Sequence, residues 1–161
     1  MSRRRSPLLV SAAVIVRGSE ILIGQRRRGD RHADKWEFPG GKVEAGETPQ
    51  QALVRELREE LAIESKVGQE IARYKHEYPN GASVLLFFYV VTEFDGAPLN
   101  RAFESIQWAP CKSLLSFDVL DGDLDFVRRL ARGEFNSRLE IANHPDGDKA
   151  HNPPRVKSDR E

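Results

Sequence analysis

The stretch Gly41 to Ile63, GKVEAGETPQQALVRELREELAI, restricts the fold and chemistry of this 161-residue chain more than any other part of it. It holds a glycine turn, a helix start and three glutamates spaced to face one site. At about 100° per residue, a helix over Pro49–Leu61 gathers Glu56, Glu59 and Glu60 into one third of the circumference and puts Leu53, Val54, Leu57 and Leu61 on the opposite side. Like charges at i, i+3 and i+4 repel; at about 6 Å with an effective dielectric of about 20, each pair costs on the order of 3 kcal/mol. Such a face calls for a positive partner. The competing reading is a solvated helix face.

The flanking residues favour a ligand. Gly40-Gly41 makes a turn whose backbone carbonyls can approach one, and Gly46 makes a second turn. Thr48-Pro49-Gln50-Gln51 reads as an N-cap, a proline at the first helical position and a capping-box glutamine. The helix is thereby held at a fixed distance from the glycine turn, so its acidic face and the turn can share one ion. Carboxylate and carbonyl oxygens without clustered His or Cys favour Mg²⁺, with Mn²⁺ as a substitute, over zinc.

Gly41, five residues, Glu47, seven residues, then Arg55-Glu56-Leu57-Arg58-Glu59-Glu60 resembles the Nudix box, the signature of Nudix hydrolases. The wider run Trp36-Glu37-Phe38-Pro39-Gly40-Gly41-Lys42 is most similar to the MutT branch. The resemblance implies a Nudix α/β/α sandwich and hydrolysis of a nucleoside diphosphate linked to another group. For the MutT branch, that means a nucleoside triphosphate cut to monophosphate and pyrophosphate. Glu56, Glu59 and Glu60 are then the metal ligands, with the Gly40 carbonyl as a fourth. Glu56 is also the candidate general base, and Arg55 orients it and can pair with Glu47. An ordinary i,i+4 ion pair with Glu59 is the plainer role for Arg55. One departure stands out: Ala62 replaces the glycine that usually eases the helix exit, and alanine disfavours a positive φ.

Outside the box, strands are expected in a hairpin over Leu8 to Val16 and Ile21 to Ile23, then at Val67 to Tyr74, Ser83 to Thr92 and Ile106 to Ala109. A second amphipathic helix is expected from Asp121 to Arg132, with Leu124, Val127 and Leu130 inward and Gly133 as its stop. The fold class is therefore α+β, a mixed sheet flanked by helices. Residues 1–7 are expected to be flexible, 8–134 to form the domain, and 135–161 to be a polar, loosely ordered tail.

Lys and Arg balance Asp and Glu at 25 each, so no global field attracts nucleic acid or an anionic membrane, and no stable nucleic-acid partner is expected. The Arg3-Arg4-Arg5 start and the apolar run after it imitate a signal peptide, but the run leads into a hairpin turn at Arg17-Gly18-Ser19-Glu20. No stretch approaches the ~18 apolar residues of a membrane span. The single cysteine, Cys111, excludes an internal disulfide and fits a reducing cytoplasm. A monomer or a homodimer is expected.

Substrate recognition rests on fewer side chains. Arg26, in the basic loop Arg26-Arg27-Arg28-Gly29-Asp30-Arg31, aligns with a substrate-contacting arginine of the MutT branch. Phe38 and Tyr78 align with aromatics that form a base slot, each with a core role as its alternative. Asp121 stands where related proteins place a residue reading the base edge, and it can also cap the second helix. A further acidic ligand of the family would fall at Ala102, where Glu104 is the substitute from the same strand face. The favoured substrate is 8-oxo-dGTP or a related oxidised nucleotide. The rivals are CTP or methyl-dCTP, dinucleoside polyphosphates and, more remotely, a non-catalytic nucleotide-binding module.

Overall fold

The computed structural model describes residues 6–140. In chain order its strands are β1 (Leu8–Arg17), β2 (Glu20–Gln25), β3 (Trp36–Glu37), β4 (Gly40–Lys42), β5 (Glu64–Lys66), β6 (Glu70–Glu77), β7 (Ser83–Val91), β8 (Glu93–Asp95) and β9 (Ser105–Pro110). Its α-helices are α1 (Pro49–Leu61) and α2 (Leu124–Ala131).

The sheet is mixed because of what meets β1. That strand runs parallel to β7, with Leu8 opposite Val84 and Ile15 opposite Val91. On its other edge it is antiparallel to β4 near its start and to β2 near its end. β6 pairs with β7, and β3 and β9 pair with β2, while β5 and β8 form a separate two-stranded sheet.

Strand alternation sorts β1 into two cores. Ala12, Val14 and Val16 join Ile21, Phe88, Phe126, Val127 and Leu130 on the α2 side. Ala13 and Ile15 join Leu22, Phe87, Val91, Leu53, Leu57 and Leu61 on the α1 side. The three α1 leucines are fully buried, and each stabilises the fold by roughly 1.5–3 kcal/mol. They fix the rotation of α1, and with it the direction of the glutamates.

That rotation differs from the simple projection. The acidic residues are not diametrically opposite the leucines: Glu56 and Glu60 are half-buried beside them, and of the charged residues of α1 only Arg58 and Glu59 are exposed. Val54 is half-buried rather than core. The reason is that β4 packs along this flank of α1 and covers both glutamates.

The second helix is shorter than expected. Asp121–Asp123 forms a 3-10 turn and α2 begins at Leu124, with Phe126, Val127 and Leu130 buried and Leu124 only half-buried. Gly133 follows it at φ 82°. The strand expected from Val67 starts at Glu70, because Gly68 and Gln69 exchange backbone bonds with Val90 in an irregular approach. Phe135 and Leu139, placed in the tail by composition, are 3% and 1% exposed and belong to the α2-side core. A single aromatic and a single leucine in a polar stretch carry no periodic signal, yet both are buried and Phe135 tilts against Phe126. Residues 1–5 and 141–161 of the expected flexible segments lie outside the described residues.

Ala62 adopts φ 55° and ψ 33°, the left-handed conformation that ends α1, with its N–H donating to Arg58 O. A side chain there costs on the order of 1 kcal/mol relative to glycine. Ala62→Gly is expected to stabilise the protein by about 0.5–1 kcal/mol, read as a higher urea midpoint at unchanged m-value; an unchanged or lower midpoint contradicts the strain.

Candidate active site

The capping box expected at the start of α1 is present. Thr48 Oγ1 accepts from Gln51 N–H at 3.1 Å, and the Thr48 N–H donates to Gln51 Oε1 at 2.9 Å. Upstream, Gly40 has φ 150°, and a Cβ there would overlap the Ser11 carbonyl of β1. Gly41 is needed for a different reason: a Cβ would lie 2.5 Å from Glu56 Cδ and 2.6 Å from its Oε1. Only glycine lets β4 pass this close to the carboxylate.

Glu56 and Glu60 meet under that strand. Burial pushes the Glu60 carboxyl well above the ordinary carboxylate range, as do its hydrogen bond to Glu56 and the charges of Glu56 and Glu37; a hydrogen bond with the Gly40 backbone pulls the other way. The Glu60 carboxyl therefore favours its protonated form while no cation is bound.

Arg55 clamps the outer side. Its Nε and Nη2 donate to both oxygens of Glu47 at 2.9 and 3.0 Å, Nη1 donates to Glu56 Oε1 at 2.9 Å, and Nη2 reaches Lys42 O at 3.1 Å. Glu47 is held below the usual carboxylate range by Arg55 and by a backbone bond from Glu44. Arg55 thus makes far more than an i,i+4 pair.

Glu59 is placed differently from its two neighbours. Its side chain is 60% exposed and touches Arg55 Nη1 at 3.5 Å, so it joins Glu56 through the guanidinium. Among the described residues, no group of three or more His, Cys, Asp or Glu side chains is assembled as a metal cage. Glu59 is drawn instead to the Arg55 guanidinium.

The C-terminal end of α1 is tied to the segment that precedes β9. Arg101 N–H donates to Glu60 O at 3.0 Å and Leu99 N–H to Leu61 O at 2.9 Å. In this segment Ala102 packs against the α1-side core, and Glu104 is exposed with its N–H bonded to Gln25 O.

These features, a glycine strand threaded against a paired carboxylate on a capped and arginine-clamped helix, coincide with a family pattern. The NUDIX domain model matches residues 7–130. The chain belongs to the Nudix family. Similar relatives are a CTP pyrophosphohydrolase of Escherichia coli K12, 38% identical over 73% of this chain and 87% of the relative, and an 8-oxo-dGTP diphosphatase of Haemophilus influenzae, 37% identical over 78% and 93%. Among solved structures, the E. coli ORF135 protein aligns with a TM-score of 0.72 and 34% identity, covering 81% of this chain and 91% of that one.

In this Nudix protein the residues expected to contact substrate are scattered in character. Arg26 is engaged: Nη1 sits 3.2 Å from both oxygens of Glu37, and Nε donates to Arg31 O at 2.6 Å. Phe38 is 5% exposed, edge-on to Phe88 and tilted against Phe126, so it is a core ring and not the wall of an open slot. The physical reason is its neighbours: it leads from β3 into the α2-side cluster. Tyr78 is 37% exposed at the β6–β7 turn, its ring 4.7 Å from that of His76. Asp121 is exposed and forms no side-chain cap on the turn it begins.

Two carboxyls escaped sequence reasoning. Glu37 is driven up by burial and held down by Arg26, and its charge acts on both Glu60 and Asp123. Asp123 is buried, and burial together with Glu37 pushes its carboxyl up to about 8. The 3-10 turn turns Asp121 outward and Asp123 inward, a geometry that 3.6-residue periodicity misses.

Gly41→Ala should lower hydrolytic activity at least roughly 10²-fold while circular dichroism stays native, because Glu56 must shift by about an ångström to make room; retention of wild-type activity would remove the need for this close approach.

Proposed function

We propose that this Nudix hydrolase cleaves a (deoxy)nucleoside triphosphate to the monophosphate and pyrophosphate, with 8-oxo-dGTP or a related oxidised nucleotide preferred, in the cytoplasm and with Mg²⁺ as cofactor. The observation that carries the reading is the buried Glu56–Glu60 pair packed against Gly40–Gly41 and clamped by Arg55. The donor set fits a hard divalent cation: carboxylate oxygens of Glu56 and Glu60 and the Gly40 carbonyl, with the exposed Glu59 as a further carboxylate. A cation bound here would displace the proton that burial favours on Glu60. When bound, Mg²⁺ or Mn²⁺ neutralises phosphate charge and acidifies a water for attack on phosphorus.

The chain's own residues then have distinct tasks. Arg55 fixes the Glu56 carboxylate through Nη1 and is itself anchored by Glu47, so Glu56 is oriented to accept the proton of the attacking water. Glu60 holds its position through Gly40. Arg26 can offer substrate only what Glu37 leaves free, namely Nη2 of its guanidinium. The bases named for the relatives, 8-oxoguanine and cytosine, are both compatible with a carboxyl reader, and a CTP-type activity is the second reading because the CTP pyrophosphohydrolase is as similar as the 8-oxo-dGTP enzyme. No helix of the described residues is long and apolar enough to cross a membrane.

A pyrophosphate-release screen over normal, oxidised and methylated nucleoside triphosphates tests the substrate; release from none of them contradicts the reading. Glu60→Gln is expected to lower turnover by at least roughly 10²-fold. The same variant tests the electrostatics in metal-free protein. Because the folded-state pKa of Glu60 is raised, its contribution to stability is full at low pH and lost as pH rises above the unfolded carboxylate's value. Glu60→Gln should therefore unfold at the wild-type temperature or above it at pH 8. A large drop in melting temperature would mean the residue is structural.

A further inference from the structure

Ser11 carries a hydroxyl in the middle of the fold that the fold does not use. The residue is fully buried on β1, and among the described residues no protein group pairs with its enclosed Oγ. Ser65 has the other enclosed, unpaired hydroxyl, but that residue is only half-buried. Leaving a buried hydroxyl unpaired costs about 1–3 kcal/mol, and alanine would occupy the same place on the strand without that cost. Packing therefore gives no reason for the oxygen.

Strand geometry says what the hydroxyl faces. Ala13 and Ile15 point to the α1 side, so by alternation Ser11 does too. Its neighbours across the sheet are Gly41 in β4 and Phe87 in β7. Directly opposed residues share a face, with Cβ positions about 5 Å apart. At Gly41 that position is taken by Glu56: a Cβ there would lie 2.5 Å from Glu56 Cδ, 2.6 Å from Oε1 and 2.9 Å from Oε2. The Glu56 carboxylate is thus the cross-strand neighbour of Ser11. The apolar side chains of this face, Ala13, Leu53, Leu85 and Phe87, offer the hydroxyl no acceptor. From the outer side Arg55 Nη1 holds Glu56 Oε1 at 2.9 Å.

We propose that Ser11 is a positioning residue for Glu56, its hydroxyl donating to the Glu56 carboxylate when the site is loaded. This rests on the role given to Glu56 above. Carboxylates that ligate a cation are steadied by hydrogen bonds to their remaining lone pairs, and the torsion at the end of a glutamate is soft enough to turn toward such a donor. A serine hydroxyl rotates to suit an acceptor that moves. Arg55 and Ser11 then grip the carboxylate from opposite sides and leave it one orientation toward the reacting groups. The cost of the unpaired hydroxyl in the resting protein is recovered in the loaded one.

The test separates the hydroxyl from its packing. Ser11→Ala removes Oγ alone, while Ser11→Thr and Ser11→Val share a shape and differ in the hydroxyl. For each, three quantities are measured: the melting temperature without metal, the Mg²⁺ dissociation constant by calorimetry without nucleotide, and kcat and KM for triphosphate hydrolysis at saturating Mg²⁺. Metal-free Ser11→Ala should melt at the wild-type temperature or above it, because no bond is lost. Its Mg²⁺ affinity should fall about tenfold, the weight of one hydrogen bond to a charged group, and kcat by at least as much, with KM within about threefold of wild type. Ser11→Thr should bind Mg²⁺ at least about fivefold more tightly than Ser11→Val. Wild-type affinity in Ser11→Ala, or equal affinities in the threonine and valine variants, overturns the proposal. So does a lower metal-free melting temperature in Ser11→Ala, which would mean that the hydroxyl already bonds within the fold. If threonine and valine do not fold at this site, the alanine variant alone decides. Hydrolysis of no triphosphate by wild type sinks the catalytic reading, and the Mg²⁺ comparison still decides Ser11; failure of wild type to bind Mg²⁺ sinks both.

Discussion

Two glutamates one helical turn apart, forced together beneath a glycine strand, are the constraint around which the rest of this molecule is arranged. Glu56 and Glu60 repel when both are ionised, and nothing apolar in the fold requires them to be close. Their proximity is imposed from three sides. The buried leucines set the rotation of α1, Gly40 and Gly41 bring β4 within contact of Glu56, and Arg55 pulls the same carboxylate outward to its anchor on Glu47. Holding two carboxyls together at a cost in stability is a mark of a functional site.

The chemistry of the box was legible in the sequence because it is local. Capping, proline placement and the i, i+3, i+4 spacing act within a few turns, so the helix start at Thr48 and the burial of Leu53, Leu57 and Leu61 follow from residue order alone. What acts across the fold was less legible. The lean of Glu56 and Glu60 toward β4 needs the position of β1, and the divergence of Glu59 needs the position of Arg55. Ala62 shows the same division: its left-handed conformation was implied by the usual glycine, but only the structure has alanine accepting it.

The region proposed to meet substrate was the least legible, since it draws on β3, the β6–β7 hairpin and the turn before α2. Phe38 moves into the core because Phe88 and Phe126 surround it, and Arg26 is taken up by Glu37. The 3-10 turn before α2 leaves Asp121 exposed and buries Asp123. Glu37 links these parts: its charge acts on both Glu60 of α1 and Asp123 at the turn.

The central claim is that a divalent cation binds between Glu56 and Glu60 and displaces the proton that burial favours on Glu60. Calorimetric titration of Mg²⁺ into the metal-free protein at pH 7, repeated in buffers of different ionisation enthalpy, measures that exchange directly. The account predicts saturable binding accompanied by release of a substantial fraction of one proton per ion, with the release abolished in Glu60→Gln. Binding without proton release, or with the same release in Glu60→Gln, would contradict it.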